Sequence, residues 1–120
     1  MGDVTVTASN GLEIAAVHSV KDRFVRLTSR INVDSSPDLR DCLLAILSEE
    51  PSPQAVTVDL TGVLYIETSG IATLIEALRI ARHHHIEFCL QGLNGPVLRL
   101  FEVTGVLALF EASNNGQKVS

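Results

Sequence analysis

Apolar and polar positions alternate along the first stretch of the chain and then give way to a helical rhythm. Val4 to Thr7 reads Val-Thr-Val-Thr, the period of two of a short edge strand. Asn10-Gly11 is a turn signal, Leu12 to Val17 suits a second strand, and Arg23 to Leu27 alternates as its hairpin partner. From Ser35 the spacing changes, because Leu39, Leu43, Ile46 and Leu47 fall on one face of a helix. Ser35 or Ser36 is placed to cap that helix. Pro37 fits its first turn, where a missing N–H has no partner to lose, and Asp38 and Asp41 complement its dipole. Pro51 and Pro53 end the element.

Beyond the prolines, Ala55 to Leu60 predicts a strand, Thr61-Gly62 a turn, and Val63 to Ile66 a brief extended stretch leading to Ser69-Gly70. A long helix follows, with Ile71, Leu74, Ile75 and Leu78 on one stripe and Glu76, Arg79 and Arg82 elsewhere on the wheel. Ile86 to Leu90 reads as the next strand. Asn94-Gly95-Pro96 opens a third helix with Asn94 as its cap, Val97, Leu98 and Phe101 as its apolar side and Gly105 as its stop. Val106 to Phe110 reads as a last strand, and the polar run after Ala112 as a flexible tail. Strands first, then helix and strand in turn, predict an α/β fold: a mixed central sheet, parallel in part, with α-helices packed on it and right-handed crossovers. The Val56–Leu60 and Ile86–Leu90 strands are expected to pair in parallel.

Length and composition narrow this to one domain over residues 1–120, with a core at about 12–112 after a short N-terminal extension. The chain has 120 residues, of which 46% are hydrophobic and 19% charged, too apolar for a disordered segment. Fourteen acidic against nine basic residues give a formal net charge of -5, and no basic stripe is interleaved with aromatics. Phosphate backbones repel such a surface, so the expected partners are proteins and not nucleic acid. Cys42 and Cys89 fall in a helix and a strand and read as reduced, small apolar residues. Met1-Gly2-Asp3-Val4 does not read as a secretory signal, Val6 stands where a myristoylation pattern needs Ser or Thr, and no apolar run approaches the roughly 18 residues of a membrane span. A cytoplasmic location without membrane contact is expected.

The segment from Asp59 to Ile71 carries the chemistry. It delivers two hydroxyls, Thr68 and Ser69, to the start of an amphipathic helix beside Gly70. A helix N-terminus tolerates a phosphate, since free N–H groups and the positive end of the dipole lie there. Local residue types alone favour simple capping, the usual task of Ser and Thr at that position. Other chemistry fails on geometry. Consecutive helical residues point about 100° apart, so His83, His84 and His85 cannot converge on one metal ion, whereas a helix C-terminus suits them. Asp59 reads as a strand-end carboxylate with an electrostatic role near helix N-termini. Glu67 stands where a serine-hydrolase elbow needs Gly, and no Gly-rich loop ends in Lys. No enzyme active site, cofactor or metal is expected.

The same segment resembles the signature of STAS domains, in particular bacterial anti-sigma factor antagonists, whose pattern is roughly Asp-Leu, a short linker, then Asp-Ser-Ser-Gly-Leu. Glu67 and Thr68 stand here for the Asp and the first Ser. Val25-Arg26-Leu27-Thr28 through Leu39 resembles the family's strand, loop and first helix, with Asn32 at the usual acidic position. Leu98 to Val106 resembles its third helix with the glycine ending, and together the likeness covers roughly residues 12 to 112. The resemblance implies a STAS fold and a phosphorylation-controlled partner switch. The unmodified protein would bind an anti-sigma serine kinase of the GHKL type and free a sigma factor. Phosphorylation of Ser69, or alternatively Thr68, would end that contact, and a metal-dependent serine phosphatase would reset it. The contact face it implies gathers Asn32, Val33, Asp34, Ser35, Tyr65, Glu67, Thr68, Ser69, Gly70 and Asn94, with Ser69 exposed to the kinase. The rival implication is a non-enzymatic STAS scaffold or accessory domain of a stress-signalling assembly or a lipid-transport complex.

Overall fold

A computed structural model describes residues 3–9 and 11–113. Five strands and four helices follow one another as β1 (Asp3–Ser9), β2 (Leu12–His18), β3 (Asp22–Ile31), α1 (Ser36–Leu47), β4 (Ala55–Ile66), α2 (Thr68–His83), β5 (Glu87–Gln91), α3 (Gly95–Val103) and α4 (Leu107–Ser113). The strands form one sheet in sequence order, β1-β2-β3-β4-β5. The first two pairings are antiparallel and the last two parallel, with Val56 opposite Phe88 and Val58 opposite Leu90. This is the mixed α/β sheet that the pattern predicts, including its parallel pair.

Alternation decides which face of the sheet is covered. Leu12 and Ile14 on β2, Val25 and Leu27 on β3, Val56, Val58 and Leu60 on β4, and Phe88 and Leu90 on β5 are all buried in one core. Leu39, Leu43, Ile46 and Leu47 of α1 and Leu74, Ala77, Leu78 and Ala81 of α2 meet them there at helical spacing. Phe110 of α4 packs against both Phe88 and Phe101, so α3 and α4 close the same layer.

The structure departs from four of the expectations. Val106 to Phe110 is no strand: the chain turns into α4, where Phe110 is buried while Ala108 and Leu109 are exposed, a helical burial pattern. Thr61-Gly62 does not turn the chain; β4 runs unbroken from Ala55 to Ile66, with irregularities in its pairing with β3 near Thr28 and Arg30. Neither serine caps α1 with its side chain, and Asn94 gives α3 no side-chain cap either. The polar tail at 114–120 and Asn10 of the predicted turn lie outside the described residues.

Candidate functional site

The site is built where β4 hands over to α2. Ile66 ends the strand in the core, Glu67 is extended, and its carbonyl accepts the N–H groups of Gly70 and Ile71 as the helix starts. Gly70 is helical and has no room for a side chain. A Cβ there would come 2.5 Å from Cγ2 of Ile31 and 2.9 Å from Cγ1 of Ile66. The first turn of α2 therefore lies directly on the ends of β3 and β4, which fixes where the two preceding hydroxyls stand. Thr68 is exposed and Ser69 half-buried.

Ser69 Oγ lies 3.1 Å from Ser36 Oγ across the α1–α2 interface. Ser36 has one hydroxyl proton, and it is given to the carbonyl of Asn32 at 2.6 Å. The proton between the two serines must then come from Ser69. Thr73 Oγ1 donates to the Ser69 carbonyl at 3.0 Å, holding the turn below. The expected free exposure of Ser69 is thus corrected to partial burial with an engaged hydroxyl, because α1 packs close enough to offer it an acceptor.

The loop before α1 closes on itself and on α2. Asn32 Oδ1 accepts the N–H groups of Asp34 and Ser35, both at 2.9 Å, and so supplies the turn that the serines were expected to cap. Ser35 Oγ instead accepts the N–H of Asn32 at 3.0 Å. Glu67 Oε1 accepts the N–H of Val33 at 2.9 Å, which ties the loop to the start of α2. Asn32, Val33, Asp34, Tyr65, Glu67, Thr68 and Ser69 are thereby brought to one end of the sheet, with Val33 (64% exposed) and Tyr65 (49% exposed) as its apolar surface. Ser35 and Gly70 are buried; they shape this end and cannot themselves touch a partner.

Asn94 is a different case. Its amide donates to the carbonyls of Gly92 at 2.8 Å and Thr61 at 3.4 Å. Thr61 is four residues from Tyr65 along β4, roughly 13 Å in an extended strand. Asn94 therefore belongs to a second polar cluster, which the sequence reading of Asp59 missed. Asp59 sits within β4, not at its end, and is only 6% exposed. Its carboxylate accepts the N–H of Thr61 at 3.0 Å, the Thr61 hydroxyl at 2.6 Å and Arg26 Nε at 3.4 Å. Burial works to raise the Asp59 pKa, but the two Thr61 hydrogen bonds and the Arg26 guanidinium outweigh it and hold the carboxyl below its ordinary value. The signal for this cluster was Thr61 two residues after Asp59 together with Gly92, whose φ of +75° and crowding against Thr61 leave no place for a side chain.

Two shallow grooves flank the helix start, and each takes one hydroxyl. Ser69 lines a groove of about 350 Å³ between α1 and α2 with Val33, Ser36 and Arg40. Thr68 lines another of about 400 Å³ with Tyr65, Glu67 and Leu100. Arg40 is held by Glu76 through two hydrogen bonds of 2.8 and 2.9 Å, and these hold the Glu76 carboxyl below its ordinary value. Among the described residues no group of three His, Cys, Asp or Glu is arranged to hold a metal ion, and no helix is long and apolar enough to cross a membrane. His83 and His84 meet edge to face at the end of α2. Cys42 and Cys89 are not joined by a disulfide.

The STAS domain family matches residues 13–119. The chain belongs to that family. This STAS domain is 27% identical over 88 residues to the anti-sigma-B factor antagonist of Listeria monocytogenes, covering 73% of this chain and 75% of that one. Its fold is shared with an anti-sigma factor antagonist from Mycobacterium paratuberculosis, at a TM-score of 0.68, 19% identity and 82% coverage of both chains. It is also shared with the unphosphorylated form of the anti-sigma factor antagonist SpoIIAA, at a TM-score of 0.68, 13% identity and coverage of 78% and 81%.

Proposed function

We propose that this STAS domain is an anti-sigma factor antagonist that works by partner switching in the cytoplasm, with Ser69 as the switch. Unmodified, it binds a GHKL-type serine kinase that is also the anti-sigma factor, and so frees a sigma factor. The kinase transfers the terminal phosphoryl group of its nucleoside triphosphate to Ser69 Oγ, the nucleoside diphosphate leaves, and the hydroxyl proton passes to a base. A metal-dependent serine phosphatase reverses the mark. The observation that carries this reading is a hydroxyl at the first turn of α2, immediately before a glycine that packing makes obligatory, beside the exposed Val33, Thr68 and Tyr65. The relatives' names and the fold they share support it.

The physical basis is electrostatic. A phosphate adds about -1.5 to -2 charge beside Glu67, and burying that charge in a complex next to a carboxylate is unfavourable. A loss of about 4 kcal/mol would weaken binding roughly a thousandfold. Ser69→Ala should retain the kinase and resist release by ATP, whereas Ser69→Asp should bind much less well. Calorimetric titration of both variants against the purified partner kinase, with phosphopeptide mass spectrometry and Thr68→Ala in parallel, tests this. Phosphate on Thr68 alone, or wild-type affinity in Ser69→Asp, would sink it.

A further inference from the structure

The groove between α1 and α2 holds more than the Ser69 hydroxyl, and its other polar groups are all committed elsewhere. Ser36 gives its proton to the Asn32 carbonyl, and Arg40 gives its guanidinium to Glu76. Resting on the reading of Ser69 as the acceptor, we propose that this groove is an intrachain phosphate cradle in which Ser36 and Arg40 exchange those partners for a phosphate on Ser69.

Proton bookkeeping requires the first exchange. In the unmodified chain Ser69 donates to Ser36. The ester oxygen of phosphoserine has no proton, so two oxygens 3.1 Å apart would face each other with lone pairs only. Ser36 resolves this by turning its hydroxyl proton onto the phosphate, a rotation that moves no heavy atom. The Asn32 carbonyl is not orphaned, because it keeps the N–H of Ser36 at 2.9 Å.

Geometry and charge favour the second. Arg40 lies four residues after Ser36, one turn along the same face of α1, and both line the groove with Ser69. Its present partner Glu76 lies seven residues after Ser69, two turns down α2. Both side chains of that ion pair are open to water, at 47% and 40% exposure, so water can replace either partner when the guanidinium turns away. A dianionic phosphate at the dipole's positive end, with three acceptor oxygens, is the stronger claimant for a guanidinium. The exchange carries the mark away from Ser69: it loosens the Asn32 end of the loop that presents Val33 and Asp34, and it releases Glu76 midway along α2.

The test installs phosphoserine at position 69 of the full chain during translation, so it does not depend on any kinase and stays informative if the natural acceptor proves to be Thr68. The second ionisation of the phosphate is followed by phosphorus NMR against pH. Arg40→Gln is expected to raise it by a few tenths of a pH unit, the size of an exposed ion pair. Ser36→Ala should act in the same direction and more weakly. Arg79→Gln removes an equal charge from the exposed side of α2 and should leave the ionisation where it is. An unchanged ionisation in Arg40→Gln, or an equal change in Arg79→Gln, would overturn the cradle. Should Ser36→Ala fail to fold, the two arginine variants decide alone, since both residues are exposed.

Discussion

Two polar clusters lie along the course of β4, one within the strand and one just past its end, and are built in opposite ways. In the middle of β4, Asp59 is buried and accepts three hydrogen bonds, while Gly92 presses on Thr61 and Asn94 seals the edge. At the end of β4, Ser69 is half-buried and passes one proton to Ser36, which passes its own to Asn32. The carboxylate of the first cluster is over-determined, with three donors on it. The second is a chain of hydroxyls, each able to rotate and choose another acceptor. The carboxylate that must stay put is fixed by several donors; the hydroxyls that can change partners run from buried Ser36 out to half-buried Ser69 at the rim, each with one proton free to rotate.

The sharpest way to break this contrast is Gly92→Ala. A Cβ there would fall on Thr61 Oγ1 and 2.7 Å from Asp59 Oδ1, at a backbone angle that alanine resists. Overpacking and strain together should lower stability by about 2–4 kcal/mol in urea titrations. Asp59→Asn comes next and is read against pH. The folded carboxyl is held below its unfolded value of about 3.9, so its contribution is complete above that pH and disappears as pH falls through the folded value. The variant should be less stable than wild type at pH 7, and the gap should close below about pH 4. A gap independent of pH would mean that Asp59 acts through shape rather than charge. Smallest of all are the changes at the rim. Ser69→Ala should cost about 1 kcal/mol or less and Tyr65→Ala about 0.5 kcal/mol or less, each measured by thermal melting. A large loss at either would place these residues in the core framework and remove the contrast.

How far the sequence could be read follows the same division. The strand alternation of Leu12–Val17 and Arg23–Leu27, and the helical spacing of Leu39 to Leu47, are properties of burial against one core, and both appear in place. Val106 to Phe110 misled because a short apolar run has the same appearance in a strand and a helix; only the contacts of Phe110 with Phe88 and Phe101 separate them. Thr61-Gly62 has the composition of a turn, yet pairing with β3 on one side and the Asp59 carboxylate on the other keep the strand extended. At the site, Ser69 and Gly70 could be singled out from local residue types and family likeness. Ser36 and Arg40 could not, since their nearness to Ser69 is created by the packing of α1 on α2, elements far apart in the chain.

The order of the strands has a consequence for the chain as it is being made. Every strand pairs with the one synthesised just before it, so β1, β2 and β3 complete a meander before any crossover is needed. Each later strand, β4 and then β5, adds at an open margin once its connecting helix has emerged, and no finished pair must part to admit a newcomer. The sheet can therefore grow from its N-terminal edge at the pace of the ribosome, and the segment bearing Ser69 is assembled onto a platform already in place.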